Sequence, residues 1–77
     1  SIGDDVTIRQ NTTFGIARVS ELNARPVIGD GVEIGTGATL LGRVIVGKNA
    51  IIGANTLVIR NVPEGAVVGG VPARILK

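Results

Sequence analysis

The sequence predicts an all-β fold in which one chain winds into a parallel β-solenoid with three short strands per coil. Three features lead to this fold class: large aliphatic residues recur every six positions, glycine often follows them, and a small or branched residue lies four positions later. A period of six fits neither the 3.6 residues of an α-helical turn nor the alternation of a flat strand. The uninterrupted run of aliphatic positions is Ile28, Ile34, Leu40, Val46, Ile52 and Val58.

A chain that turns a corner every six residues explains this period. Each short strand directs one large aliphatic side chain inward, and each corner takes Gly, Asn or Asp because these residues tolerate positive φ. Three sides close a coil of about eighteen residues, and the coils stack at the ~4.8 Å spacing of paired strands. The predicted ladder pairs are Ile28 with Val46, Ile34 with Ile52, and Leu40 with Val58.

The first elements of this single domain, residues 1–77, are a coil and a loop. Residues 1–16 are expected to form the first coil, and the period continues there at Ile2, Ile8 and Phe14. The next aliphatic position, Ile28, follows Phe14 by fourteen residues, which is two hexads plus two extra residues. Polar side chains fill this interval, so we expect residues 17–27 to form an extruded loop.

The remaining elements are the regular coils and a cap. Residues 28–63 are expected to form the regular coils. Glu64 stands eighteen positions after Val46 and would interrupt its ladder, and Pro63 lacks the amide hydrogen that a sheet ladder needs. Residues 64–77 are therefore expected to form an irregular C-terminal cap and a short tail.

Composition excludes several classes of function. The chain has no Cys and no His, which removes disulfides, thiolate zinc sites and the commonest general base, and we expect no metal site. Its eight basic residues are scattered singly along the sequence, and the chain has only one aromatic residue. Nucleic-acid binding usually needs a cluster of basic residues and aromatic rings for stacking, so this class is not expected. The apolar runs fall short of the ~20 residues that span a bilayer, so no membrane association is expected. The chain starts at Ser1 rather than Met, and we expect it to be a fragment.

Several segments carry motifs of a known superfamily, namely residues 6–15, 25–32, 34–42, 52–58, 61–63 and 70–74. In this order they resemble the hexapeptide-repeat acyltransferases, and most closely the C-terminal part of serine acetyltransferases and related polysaccharide O-acetyltransferases. The resemblance implies a left-handed parallel β-helix. The spacing does not predict this hand, because crossovers between parallel strands are usually right-handed.

The resemblance also implies a function, a cofactor and an assembly. It implies a cytoplasmic homotrimer that transfers an acetyl group from acetyl-CoA to a small-molecule acceptor, the hydroxyl of serine or of a sugar. Small residues let the pantetheine arm approach the backbone, and a cation meets the nucleotide phosphates through charge-assisted bonds. By position in the family motifs, the implied CoA-binding residues are Gly15, Thr36 and Ala54, with Arg74 and Lys77 near the phosphates.

Two departures from the family pattern concern the acceptor and the chemistry. The family has an Arg-His pair before proline, whereas Ala24 and Arg25 precede Pro26 here. Arg25 is therefore the implied substrate-binding residue, and the acceptor stays open between serine and a sugar. The family's catalytic Asp and His lie upstream of the segment that begins at Ile2, so we expect no catalytic residue in this chain and no activity from it alone.

A structural solenoid without catalytic activity, designed or excised as a scaffold, is the alternative. Corners of a β-helix need small residues in any case, which would explain Gly15, Thr36 and Ala54 without a ligand. The excursion before Pro26 and the terminus at Gly70–Arg74 favour the enzyme, because a scaffold needs neither.

Overall fold

A computed structural model describes residues 2–15 and 26–77 of the chain. Within these ranges the chain forms ten short β-strands and no helix. The strands are β1 (Thr7–Ile8), β2 (Thr13–Gly15), β3 (Val27–Ile28), β4 (Glu33–Ile34), β5 (Thr39–Leu41), β6 (Ile45–Val46), β7 (Ile51–Ile52), β8 (Leu57–Val58), β9 (Val67–Gly69) and β10 (Arg74–Ile75).

The strands stack into three sheets that form the faces of a prism. The first face contains β3 and β6, the second β1, β4, β7, β9 and β10, and the third β2, β5 and β8. Strands that are neighbours in a face come from successive coils and run parallel, apart from β10. The register confirms the three predicted ladders, Ile28 on Val46, Ile34 on Ile52 and Leu40 on Val58.

The core is the stack of inward side chains from these ladders. Ile28, Ile34 and Leu40 are 2%, 0% and 0% exposed, because each has a coil on both sides. Their partners in the first coil have a neighbour on one side only and are 57%, 41% and 41% exposed: Ile2, Ile8 and Phe14. The small residues between the ladders complete the interior: Val32, Ala38, Val44, Ala50 and Thr56.

The corners carry the residue types that the sequence predicts. The first corner, between the first and second faces, contains Asp5, Gly31, Asn49 and Gly65, with φ between 58° and 72°. The second corner, between the second and third faces, contains Asn11, Gly37 and Asn55, with φ between 56° and 75°. The third corner, which returns to the first face, includes Gly42 at φ 71°. The left-handed backbone region explains the preference for Gly, Asn and Asp.

The connection between the first and second coils is longer than a regular corner. Phe14 pairs with Leu40, 26 positions later, whereas Leu40 pairs with Val58 after 18. Eight more residues therefore separate the paired positions at this level than at the next. Val27 already belongs to β3, and the other residues of the expected loop, up to residue 25, lie outside the described part.

The last coil is two residues shorter than the regular coils, in which paired positions are 18 residues apart. Val46 pairs with Val62 and Ile52 with Val68, both 16 positions later. The expectation that Glu64 interrupts the ladder after Val46 is wrong, because the chain omits two residues at the third corner. Val62 then points inward, while Glu64 lies exposed at the first corner. The parallel ladder consequently continues past Pro63 to β9.

The C-terminal segment closes this end of the prism. β10 pairs antiparallel with β9, which places Arg74 beside Gly69. The turn between these strands lies beside Leu57 of β8, whose amide donates to the Gly70 carbonyl at 3.1 Å and whose carbonyl accepts from the Ala73 amide at 2.8 Å. A covered edge resists pairing with other strands. Residues 2–15 and 26–77 contain no helix that could cross a membrane.

Candidate functional site

The second corner brings two of the predicted coenzyme residues together. Thr36 and Ala54 occupy the same position in successive coils, and both are exposed. The Asn55 amide donates to the Thr36 carbonyl at 2.9 Å, which ties the two corners to each other. One level earlier the same position is Gln10, whose carbonyl accepts from the Gly37 amide at 3.1 Å. The result is a column with little side-chain bulk at Thr36 and Ala54.

The local sequence explains why this corner can pack so closely. Gly37 and Asn55 both adopt positive φ, at 75° and 56°. The Asn55 side-chain oxygen lies where a β-carbon of residue 37 would be, so the glycine leaves room for the asparagine above it.

Gly15 lies at the opposite end of the third face. It pairs with Leu41, and its carbonyl accepts from the Gly42 amide at 2.8 Å. A β-carbon at Gly15 would lie 2.7 Å from Cδ2 of Leu41, so the leucine side chain fills that space. The strand β5 therefore separates Gly15 from Thr36, and the two do not form one contact surface within this chain.

A groove of about 460 Å³ opens between the third corner of the last coil and the C-terminal tail. This corner is the one that is two residues short. The lining residues are Ile59, Arg60, Asn61, Val62, Val68, Pro72, Ala73, Arg74 and Ile75.

The groove combines two cations with apolar walls. Arg60 and Arg74 are both exposed, and neither forms an ion pair within the described ranges. Val62 and Val68 are buried, while Ile59 and Ile75 are 47% and 63% exposed. Such a groove suits an anion attached to a flat apolar group, since the guanidinium fork bonds to phosphate oxygens and stacks on rings.

Asn61 completes the shortened corner. In the preceding coils the Val27 amide donates to the Val44 carbonyl at 2.9 Å. The Ile45 amide instead donates to the Asn61 side-chain oxygen at 2.9 Å, because the omitted residues leave no backbone carbonyl there. This side chain fixes the wall of the groove next to Arg60.

Of the remaining predicted site residues, Arg74 lines the groove, whereas Lys77 does not. Lys77 is exposed at the end of the chain, and its carbonyl accepts from the Val67 amide at 3.0 Å. Arg25 lies outside the described residues. Arg60 was not predicted from the sequence, although the spacing of Val62 and Val68 from Val46 and Ile52 carries the signal of a shorter coil.

Comparison with known proteins gives relatives that match almost the whole chain. Residues 25–60 match the family described as bacterial transferase hexapeptide (six repeats). The serine acetyltransferases of Mycobacterium tuberculosis and Haemophilus influenzae are 43% and 47% identical over 75 residues, which is 97% of this chain and 33% and 28% of theirs. The serine acetyltransferase of Staphylococcus aureus is 42% identical over all 77 residues and 36% of its own length. The chain thus spans about a third of the length of these curated relatives.

Solved structures give the same result for the fold. A truncated serine acetyltransferase apoenzyme superposes with a TM-score of 0.91 at 47% identity, covering 97% of this chain and 31% of that one. A serine acetyltransferase in complex with CoA gives 0.86 at 47% identity, covering 97% and 30%. The Brucella abortus enzyme in complex with coenzyme A gives 0.89 at 38% identity, covering 97% and 30%. These findings confirm the resemblance and the left-handed parallel β-helix: nearly the whole chain is similar to part of the serine acetyltransferases, and its residues 25–60 match the hexapeptide-repeat family.

Proposed function

We propose that this chain is the coenzyme-binding β-helix of an acetyl-CoA-dependent O-acetyltransferase. The observation that carries the proposal is the groove that joins Arg60 and Arg74 beside a tail leading back to the small-residue corner. Relatives of the same fold are described as complexes with CoA, which supports this choice of ligand. The whole enzyme would be about three times as long as this chain, to judge from its relatives.

The groove fits the nucleotide end of the coenzyme. CoA carries a 3′-phosphate and a pyrophosphate on an adenosine, and Arg60 and Arg74 offer two guanidinium groups to these anions. Ile59 and Ile75 supply apolar surface for the adenine. The family resemblance also implies Lys77 as a residue that binds the CoA phosphates, and this stays a prediction.

The pantetheine arm would extend toward the second corner. Gly70 and Ala73 form backbone hydrogen bonds with Leu57 of β8, and Ala73 also lines the groove, so the turn between β9 and β10 would connect the two regions. Thr36 and Ala54 leave the backbone accessible to the arm, which is long, thin and carries two amides. Gly15 lies at the far edge of the third face, and a contact with CoA there would belong to a groove shared with a neighbouring copy.

Serine is the acceptor that the relatives favour. The matched curated relatives are serine acetyltransferases, and one similar structure is described as a complex with serine. A sugar hydroxyl is the alternative, because Arg25 stands where the family has His. We propose that Arg25 binds an acceptor carboxylate, in which case Arg25→Ala weakens serine binding and leaves the melting temperature unchanged.

The chemistry needs a base that this chain does not supply. The acceptor hydroxyl loses a proton as its oxygen attacks the thioester carbonyl, and the CoA thiolate leaves. The sequence has no His, so we propose that the chain binds and orients the donor and that other residues of a longer protein remove the proton. Cytoplasmic location follows from this proposal, because acetyl-CoA is the donor.

A paired measurement tests this function. CoA is titrated calorimetrically into the 77-residue chain, and thiol release from acetyl-CoA is followed with serine or a sugar as acceptor. CoA binding without turnover is the expected result. Turnover at an ordinary enzymatic rate would contradict the absence of a base, and a folded chain that does not bind CoA would favour the structural scaffold.

A further inference from the structure

We propose that Gly35 is a positioning residue for the coenzyme site, because it sets the position of the Ala54 corner. This inference rests on the proposed function. Gly35 follows β4, stands just before Thr36 and does not line the groove. It acts on the site through the backbone of the next coil.

The contact between Gly35 and the next coil is closer than any side chain allows. A β-carbon at residue 35 would lie 2.6 Å from the Ala54 amide nitrogen, 2.9 Å from its Cα and 2.8 Å from the Gly53 carbonyl carbon. All three neighbours are backbone atoms, so no rotamer change relieves the overlap. The Gly35 amide also donates to the Ile52 carbonyl at 2.8 Å, which fixes the two coils at this separation.

The consequence is local to the second corner. An added methyl group would push the Ala54 backbone outward from Gly35 by several tenths of an ångström, and Thr36 is the next residue after the strained position. The proposed walls for the pantetheine arm would therefore move, while the arginine groove at the third corner would stay in place. Loss of one well-aligned hydrogen bond or its equivalent weakens affinity about tenfold.

Gly29 offers a matched control at a different corner. A β-carbon there would lie 2.8 Å from the Lys48 amide nitrogen and 3.1 Å from its Cα, which is the same kind of overlap. Its amide donates to the Val46 carbonyl at 2.8 Å, as that of Gly35 does to Ile52. The first corner contains none of the proposed coenzyme residues, so Gly29→Ala should disturb the coil stacking without disturbing the site.

The experiment compares two ligands and two variants. Calorimetric titration gives the Kd of CoA and of adenosine 3′,5′-bisphosphate, which lacks the pantetheine arm, for the unsubstituted chain, Gly35→Ala and Gly29→Ala. For Gly35→Ala we expect a Kd for CoA raised about tenfold and an unchanged Kd for the bisphosphate. For Gly29→Ala we expect a similar loss of melting temperature and no change in either Kd.

Other outcomes overturn the inference in distinguishable ways. If both variants weaken CoA binding equally, the effect comes from coil stacking in general. If Gly35→Ala binds CoA as tightly as the unsubstituted chain, the position of the Ala54 corner does not depend on Gly35. If Gly35→Ala does not fold, Gly53→Ala perturbs the same corner more mildly, because a β-carbon next to Ala54 would meet the Thr56 hydroxyl oxygen and the Val68 carbonyl oxygen at 3.3 Å. That variant should still weaken CoA selectively, and an unchanged Kd overturns the inference. No CoA binding by the unsubstituted chain overturns the proposed function itself, and this inference with it.

Discussion

At the scale of single residues, the shortened corner depends on one side chain. A regular coil would present a backbone carbonyl to the Ile45 amide, but the last coil omits the residue that carries it. The Asn61 side-chain oxygen accepts this hydrogen bond at 2.9 Å. Asn is short enough to place its amide oxygen where a main-chain oxygen would be, which explains why the turn can lose two residues without losing the ladder.

Asn61→Ala is expected to lower the free energy of unfolding by about 1 kcal/mol, because the Ile45 amide loses its acceptor in a partly exposed position. Asn61→Asp keeps an acceptor oxygen at the same place and serves as the control. Urea denaturation monitored by circular dichroism gives both values. Equal stability of Asn61→Ala and the unsubstituted chain would mean that water replaces the asparagine oxygen at no cost.

Arg60→Ala is expected to weaken CoA binding about tenfold, since a charge-assisted bond to a phosphate is lost from an exposed groove. Arg43 occupies the third corner of the preceding coil, is also exposed and does not line the groove, so Arg43→Ala is the matched control. Calorimetry at two salt concentrations measures both. A similar loss in the two variants would indicate general attraction by positive charge instead of a site.

At the scale of the structural elements, the first corner alternates glycine with asparagine for a steric reason. The Asn49 side-chain oxygen occupies the place of a β-carbon on Gly31 in the coil before it. The corner amides form a continuous chain of hydrogen bonds, from Gly31 to Asp4, Asn49 to Asp30 and Gly65 to Lys48, at 2.8 to 2.9 Å. Gly65 has the same backbone conformation, at φ 72°, but open space around its absent side chain.

Gly31→Ala and Gly65→Ala therefore separate backbone strain from steric conflict. Gly65→Ala is expected to cost about 1 kcal/mol, the penalty of the left-handed region. Gly31→Ala should cost about 1 kcal/mol more, because Asn49 must also move. Replacing Asn49 by Gly in the Gly31→Ala variant should recover the second part. Equal losses in the two single variants, measured by thermal melting, would contradict the role given to Asn49.

The sequence is sufficient to predict the repeat, the three ladders and the composition of the corners. It could not locate the arginine groove, because a fixed frame of eighteen residues put Glu64 where the structure has Val62. A corner that is two residues shorter costs little free energy when the Asn61 side-chain oxygen replaces the missing backbone carbonyl. The repeat pattern alone therefore does not reveal the shorter corner. Within the proposed coenzyme site, Thr36, Ala54 and Arg74 stay predictions from motif positions, and Arg60 joins them only because the folded corner places it in the same groove as Arg74.

At the scale of the whole molecule, the outer faces remain partly apolar. Val27 and Ile45 are neighbours on the first face and are 37% and 48% exposed, and Ile51 on the second face is 39% exposed. A chain of this size also has a small core, in which few residues are covered on all sides. Apolar surface of this kind is typical of a protein that associates, and a trimer is the assembly that the family resemblance implies.

Sedimentation equilibrium is expected to give a mass about three times 7.8 kDa at micromolar concentration. Ile45→Lys places a charge at the centre of the apolar first face and should shift the species toward monomer. Lys48→Ala, at the first corner, serves as a surface control that should leave the mass unchanged. A monomer with a cooperative melt, from the unsubstituted chain, would contradict the assembly.

The proposed CoA-binding path runs through a small-residue corner and an arginine groove of one chain. Backbone amide chemical shifts of the isotope-labelled chain, recorded during a titration with CoA, test it residue by residue. We expect the largest changes at Thr36 and Ala54 and within the segments 59–62 and 72–75, and small changes at the first corner around Asp30 and Lys48. Changes confined to the first corner, or none at saturating CoA, would contradict it.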